Sequence, residues 1–155
     1  MTAYSSLLRR YDTAAHWLSG AIPESLMLLF VRIVFGGIFW RSGQTKVEPG
    51  TWFTLTDSTR ELFRTEYAGV PLSPELAAPL ASAAEHLLPA LLLAGLFTRF
   101  SALGLIAMTL VIQLFVYPEA WWPEHSLWFS LGLILLLRGG GLFSLDRMLV
   151  RKTRG

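Results

Sequence analysis

Cysteine is missing from all 155 residues, and charge is scarce: only 15% of the chain is Asp, Glu, Lys or Arg. Without thiols the chain itself forms no disulfide, performs no thiol exchange and offers no thiolate to a metal. Soluble domains carry about a quarter charged residues, so this composition argues against an ordinary soluble domain. The formal net charge of +2 is small, which argues against the clustered basic face of a nucleic-acid binder. A phosphate loop, a Ser-His-Asp set and a dinucleotide fingerprint are lacking too. Gly139-Gly140-Gly141 is not followed by Lys and reads as a helix terminator. Arg9 and Arg10 are followed by Tyr11 and Asp12, with no continuous apolar core and no cleavage pattern, so a signal peptide is not expected.

What the chain has is apolar runs, in 53% hydrophobic residues. Four spans are expected, at 25–42, 76–97, 101–117 and 124–138, within one domain covering 1–155. The fourth run is short, unless its helix begins near Pro123 and is assisted by Leu142 and Phe143. The turn at Thr98-Arg99 makes the second and third spans antiparallel neighbours. The fold class is therefore all-α: an integral membrane four-helix bundle.

Amphipathic interfacial helices flank the spans. In residues 1–20, Leu7, Leu8, Tyr11, Ala14, Ala15 and Leu18 recur at helical spacing after Tyr4. A second such helix is expected in the first outer loop, between Trp52 and Tyr67, and a third after Ser144-Leu145-Asp146-Arg147. Arg9, Arg10, Arg99, Arg138, Arg147, Arg151, Lys152 and Arg154 fall on one side; Arg41, Lys46, Arg60 and Arg64 fall on the other. The Lys/Arg bias puts both termini in the cytoplasm.

Polar residues inside the spans are costly and mark either function or tight packing. Arg32 lies about ten residues from the outer end of span one and Glu85 about nine from the outer start of span two, so both are expected roughly 15 Å deep. An Arg32–Glu85 pair would neutralise both. Pro89 leaves the Glu85 carbonyl without its helical donor. His86 points about 100° away from Glu85, while Gln113, His125, Arg41 and Lys46 lie nearer the outer face. The polar groups thus describe a funnel opening outward. Arg32, Lys46, Glu85, His86, Gln113 and His125 are the candidates for ligand binding or proton exchange: Arg32 as counter-ion, Glu85 as buried acid, His86 as proton exchanger, Lys46 as the anion-attracting group at the mouth. The competing reading is that these groups only hold the bundle together. His16, His86 and His125 lie at different depths, so no metal site is expected.

Several stretches together resemble the DoxX family: Arg41-Ser42-Gly43-Gln44-Thr45-Lys46 after the first span, Glu85 with Leu96-Phe97-Thr98-Arg99 closing the second, and Gly139-Gly140-Gly141-Leu142-Phe143-Ser144-Leu145-Asp146 after the fourth. The family commonly has Pro in the glycine turn, where this chain has Gly140. The resemblance implies a four-helix bundle in the bacterial cytoplasmic (inner) membrane. It further implies association with redox assemblies, such as the small subunit of a thiosulfate:quinone oxidoreductase, or with superoxide and thiol stress systems. The Ser-Gly-x-Thr-Lys turn is similar to that of proteins encoded near copper-binding peptide systems. The family has no settled catalytic residues, so none is assigned and enzymatic activity is left open. The leading expectation is a subunit of a redox-linked, quinone-associated membrane assembly. The alternatives are a non-enzymatic anchor or assembly subunit, and an accessory protein for a copper-binding peptide. Expected partners are membrane lipid, a protein of a redox complex, and a second copy through Gly36-Gly37 and Ala81 to Ala84.

Overall fold

The computed structural model describes residues 3–153, with side-chain surroundings given for residues 7–152. Arg154, counted above in the basic tail, lies outside the described residues, as do the surroundings of Tyr4. The chain is all-helical: α1 (Ala3–Leu18), α2 (Ala21–Lys46), α3 (Asp57–Thr65), α4 (Pro74–Ala94), α5 (Thr98–Phe115), α6 (Ser126–Arg138) and α7 (Leu145–Thr153). A single π-helical turn, Trp121–His125, leads into α6. There is no sheet among the described residues, only an isolated bridge between Val47 and Leu55.

Three helices, α2, α4 and α5, are long and apolar enough to cross a membrane. Their outward faces carry Phe30, Leu87 and Leu103, all more than half exposed. So much apolar surface on every side has no stable place in water. The protein is a multi-pass membrane protein.

Proline and glycine punctuate the helices as their chemistry requires. Pro23 sits in the first turn of α2 and Pro74 opens α4, where a missing N–H costs nothing. Gly95 ends α4 in the left-handed region at φ 69°, a conformation that side chains resist. Gly139 ends α6 at φ 77°. Leu142 and Phe143, expected to assist the fourth helix, instead follow the glycine turn and lie outside α6.

Helices α2, α4, α5 and α6 pack as a closed ring, each touching two neighbours in the order α2–α4–α5–α6–α2. Their shared core is Leu28, Val31, Phe35, Phe39, Leu92, Ala102, Leu105 and Leu135. Phe35 meets Phe39 edge-on at 5.4 Å, and Phe39 meets Trp128 at 5.7 Å. Gly132 lets α6 close on this core, since a β-carbon there would come within 2.5 Å of Ile106.

Above the ring, α3 caps the bundle. Thr56 Oγ1 accepts from the Thr59 amide at 3.1 Å to start α3. Phe63 then packs with Val47, Leu55, Ala77 and Ala78 in a second apolar cluster. This cap and the turn before α6 frame the site.

Candidate functional site

The expected Arg32–Glu85 pair does not form. Arg32 is 1% exposed, but its guanidinium faces backbone carbonyls. It donates to Leu92 O at 2.9 Å, Leu93 O at 2.7 Å, Gly140 O at 2.9 Å and Phe143 O at 2.9 Å. The first two close the C-terminal end of α4, where unsatisfied carbonyls and the helix dipole attract a cation. The other two belong to the loop after α6. The depth estimate fails because α2 runs past Ser42 to Lys46. Measured along α4, Arg32 meets the helix seven to eight residues inward of Glu85, roughly 10 Å deeper.

The same end of the bundle holds Asp146. Its carboxylate accepts from the Phe97 amide at 2.7 Å and the Thr98 amide at 2.9 Å, capping α5. Gly140 and Gly95 are needed here for closeness. A β-carbon on Gly140 would sit 2.6 Å from Ser144 and 2.7 Å from Thr98, and one on Gly95 would sit 2.9 Å from the Arg32 guanidinium carbon. The family-like stretches at residues 96–99 and 139–146 are thus one interlocked knot. Thr98 Oγ1 is buried there without a partner, but the Arg32 guanidinium is satisfied by the chain's own carbonyls and acts as a structural clamp.

Glu85 finds Lys46 instead. Lys46 Nζ lies 2.8 Å from Glu85 Oε2 and donates to Oε1 at 3.0 Å, with both side chains under 10% exposed. Ser42 completes a triangle: its hydroxyl donates to Oε1 at 3.1 Å and accepts from Lys46 Nζ at 2.9 Å. Ser42 and Lys46 lie one turn apart on one face of α2. Lys46 is therefore not a free charge at a mouth. Oε2 makes its ionic contact without hydrogen-bond geometry and stays otherwise unpartnered and buried. Gly43 lets this face approach α4, since a β-carbon would stand 3.1 Å from that of Glu85 and 3.0 Å from His86.

His86 points elsewhere, as its angular offset demands. Its Nδ1 lies 2.7 Å from the Ser82 carbonyl and its Nε2 lies 3.0 Å from Gln44 Nε2. A carbonyl only accepts, so Nδ1 carries the proton and Nε2 accepts from the Gln44 amide. Trp40 and Trp52 flank the ring at 5.5 and 6.1 Å. His86 lines none of the cavities described below.

Gln113 and His125 bond to each other. Gln113 Nε2 donates to the Pro118 carbonyl at 2.7 Å, which leaves Oε1 to accept from His125 Nδ1 at 2.8 Å. The His125 ring is 2% exposed and stacks at a tilt on Trp128 at 5.0 Å.

Two cavities meet at Glu85. One, of about 500 Å³, runs between α2, α5 and α6 and is lined by Phe39, Ser42, Tyr67, Glu85, His125 and Trp128, with Tyr117, Glu119 and Glu124 among its further walls. The other, of about 340 Å³, lies between α4 and α5 beneath α3 and is almost wholly apolar apart from Lys46, Tyr67 and Glu85. Both fall within the ordinary size of small-molecule pockets, which are mostly apolar with a few placed polar groups. Tyr67 lines both. Burial, with Glu85 nearby, pushes its phenol up to about 12, so it stays protonated at neutral pH. Tyr117 donates its hydroxyl to Glu66.

Of the sequence candidates, then, Lys46, Glu85 and His125 converge on these cavities, Gln113 stands behind His125, and Arg32 and His86 lie apart. Sequence reasoning missed Ser42, Tyr67 and Trp128. The Ser42–Lys46 spacing was readable as one helical face; nothing in the sequence signals that Tyr67 folds back over Glu85. Among the described residues no group of three or more His, Asp or Glu could hold a metal ion.

An all-helical ring with apolar outer faces and a buried ion pair defines a multi-pass membrane protein with a polar interior. A family model for DoxX matches residues 27–118, and the chain belongs to the DoxX family. Comparison with curated proteins and with solved structures returns no significant match.

Proposed function

We propose that the protein is a four-span subunit of a redox-linked assembly in the bacterial cytoplasmic membrane, and that it binds a quinone-like molecule in the cavities that meet at Glu85. The observation that carries this reading is the Lys46–Glu85 ion pair, braced by Ser42, on the wall of a pocket that is otherwise apolar but for Tyr67. A buried ion pair stabilises little or nothing relative to a well-packed apolar replacement. A ring-shaped ligand with polar oxygens and an apolar tail fits both halves of the space. The fourth span consists of α6 extended by the turn at Trp121–His125, since α6 alone reaches only about 20 Å. α1, α3 and α7 rest at the membrane surfaces, and the Lys/Arg distribution turns both termini to the cytoplasm.

The test is to purify the full chain in mild detergent and analyse its extracted lipid for quinones. Expected is co-purified quinone above the level carried by an unrelated membrane protein, lowered in Glu85→Gln. A preparation free of quinone that also fails to bind added short-tailed quinone would overturn the reading. It would leave an anchoring role in which the polar groups serve packing alone.

A further inference from the structure

The larger cavity has a hydrogen-bonding polarity that its residue types alone do not reveal. Its buried groups can be assigned one by one. Gln113 spends its amide N–H on the Pro118 carbonyl and offers only oxygen to His125. The His125 proton must therefore sit on Nδ1, and Nε2 of the neutral ring is left with a lone pair. Nε2 has no partner among the described residues, although the ring is 2% exposed and lines the cavity. Glu85, also on this wall, is already served by Lys46, whose Nζ lies 2.8 Å from the fully buried Oε2 and donates to Oε1. The donors nearby that could have balanced His125 Nε2 are engaged elsewhere. Lys46 Nζ faces Ser42 and the carboxylate, and the Ser42 hydroxyl donates to Oε1. The Tyr117 hydroxyl is given to Glu66. At the rim, the exposed side chains of Glu119 and Glu124 add two further acceptors. On the donor side remain the Tyr67 hydroxyl, which can also accept, and the Trp128 indole.

We infer that this cavity recognises a ligand that donates hydrogen bonds: the dihydroxy form of an aromatic ring, in preference to the dicarbonyl form. The inference rests on the quinone-site reading above and names the redox state that the site holds more tightly. A hydroquinone hydroxyl facing His125 Nε2 gives its lone pair a proton. A quinone carbonyl in the same place sets oxygen against nitrogen with no proton between them, and a buried acceptor left unpaired is costly. The carboxylates at the rim act in the same direction, since the negative end of a carbonyl dipole faces them.

The experiment is equilibrium binding to the full chain in detergent, with one short-tailed benzoquinone, its hydroquinone kept reduced under argon, and the same hydroquinone with both hydroxyls methylated. Expected is hydroquinone binding roughly tenfold tighter than quinone, the scale of one buried hydrogen bond, with the dimethyl ether no better than the quinone. In His125→Phe the preference should collapse to within about twofold, because one acceptor is gone. Should that variant unfold, His125→Gln serves: its amide can turn a donor to the cavity and should improve quinone binding relative to hydroquinone. Quinone binding equal to or tighter than hydroquinone in the wild-type chain overturns this inference and leaves the quinone-site reading standing. Failure of all three ring compounds to bind overturns both.

Discussion

Replacing Arg32 with Met keeps the length of the side chain and most of its packing while removing every N–H it offers. The consequence follows from the four carbonyls it serves. Leu92 O also accepts from the Gly95 amide at 3.0 Å, so it retains a partner. The carbonyls of Leu93, Gly140 and Phe143 have no other donor among the described residues. Each orphaned carbonyl costs about 1–3 kcal/mol where water cannot reach it. Some relaxation of the loop after α6 will reduce the total, so Arg32→Met should destabilise by roughly 5 kcal/mol. Arg32→Lys keeps the charge, but a single ammonium cannot span carbonyls on two separate segments, and should cost roughly half as much. The assay is reversible unfolding of the purified protein in mixed detergent and dodecyl sulfate micelles, followed by tryptophan fluorescence. If Arg32→Met unfolds within about 1 kcal/mol of wild type, the carbonyl clamp is not what holds this end of the bundle. A result in which Arg32→Met is rescued by Glu85→Gln would restore the direct pair that the geometry rejects.

Two further outcomes are expected. Lys46→Met strands the Glu85 carboxylate in an apolar wall and should cost about 3–5 kcal/mol in the same assay, whereas the double variant Lys46→Met with Glu85→Gln should recover most of that loss; additive losses would show that the two groups do not interact. The Tyr67 phenol, pushed up to about 12 by burial and by Glu85, holds its proton more tightly folded than unfolded, where about 10 is usual. Its contribution is therefore intact below about pH 10 and lost as pH rises toward 12, so alkaline titration should show stability falling across that window and less so in Tyr67→Phe.

The helical ring was legible because its signals are local and periodic: apolar runs of spanning length, prolines at helix starts, glycines at helix ends. That α4 and α5 are joined by a tight turn was readable for the same reason, but the turn falls at residues 95–97, and Thr98 and Arg99, expected to form it, already belong to α5. Partner choice in the interior was not. Charge pairing by depth joined Arg32 to Glu85, but depth was counted from an end of α2 that the helix overruns, which moved Lys46 within reach of Glu85. The carbonyls that satisfy Arg32 belong to every residue type and leave no trace in the sequence. The glycine run was correctly read as a stop, yet its second use, admitting a guanidinium beside bare backbone, depends on a loop distant in the chain. His125 and Gln113 were both singled out as outer polar residues. Their mutual bond, and the tautomer it fixes, needed the turn at Pro118, which closes only in three dimensions.

The clamp has a temporal side. Arg32 lies near the start of the chain, while Gly140 and Phe143 lie 108 and 111 residues further on. A ribosome delivering this protein inserts a cationic side chain long before half of the groups that will accept it exist. Until the last turn is made, α2 carries a guanidinium matched only by the Leu92 and Leu93 carbonyls of α4, and water or a lipid headgroup must serve its remaining N–H groups. Closure of the ring and completion of the carbonyl clamp are then one event, set by the arrival of the C-terminal segment. A nascent chain cut short before Gly140 would carry its own mark of incompleteness inside the bilayer, available to whatever proteolytic surveillance recognises charge in lipid.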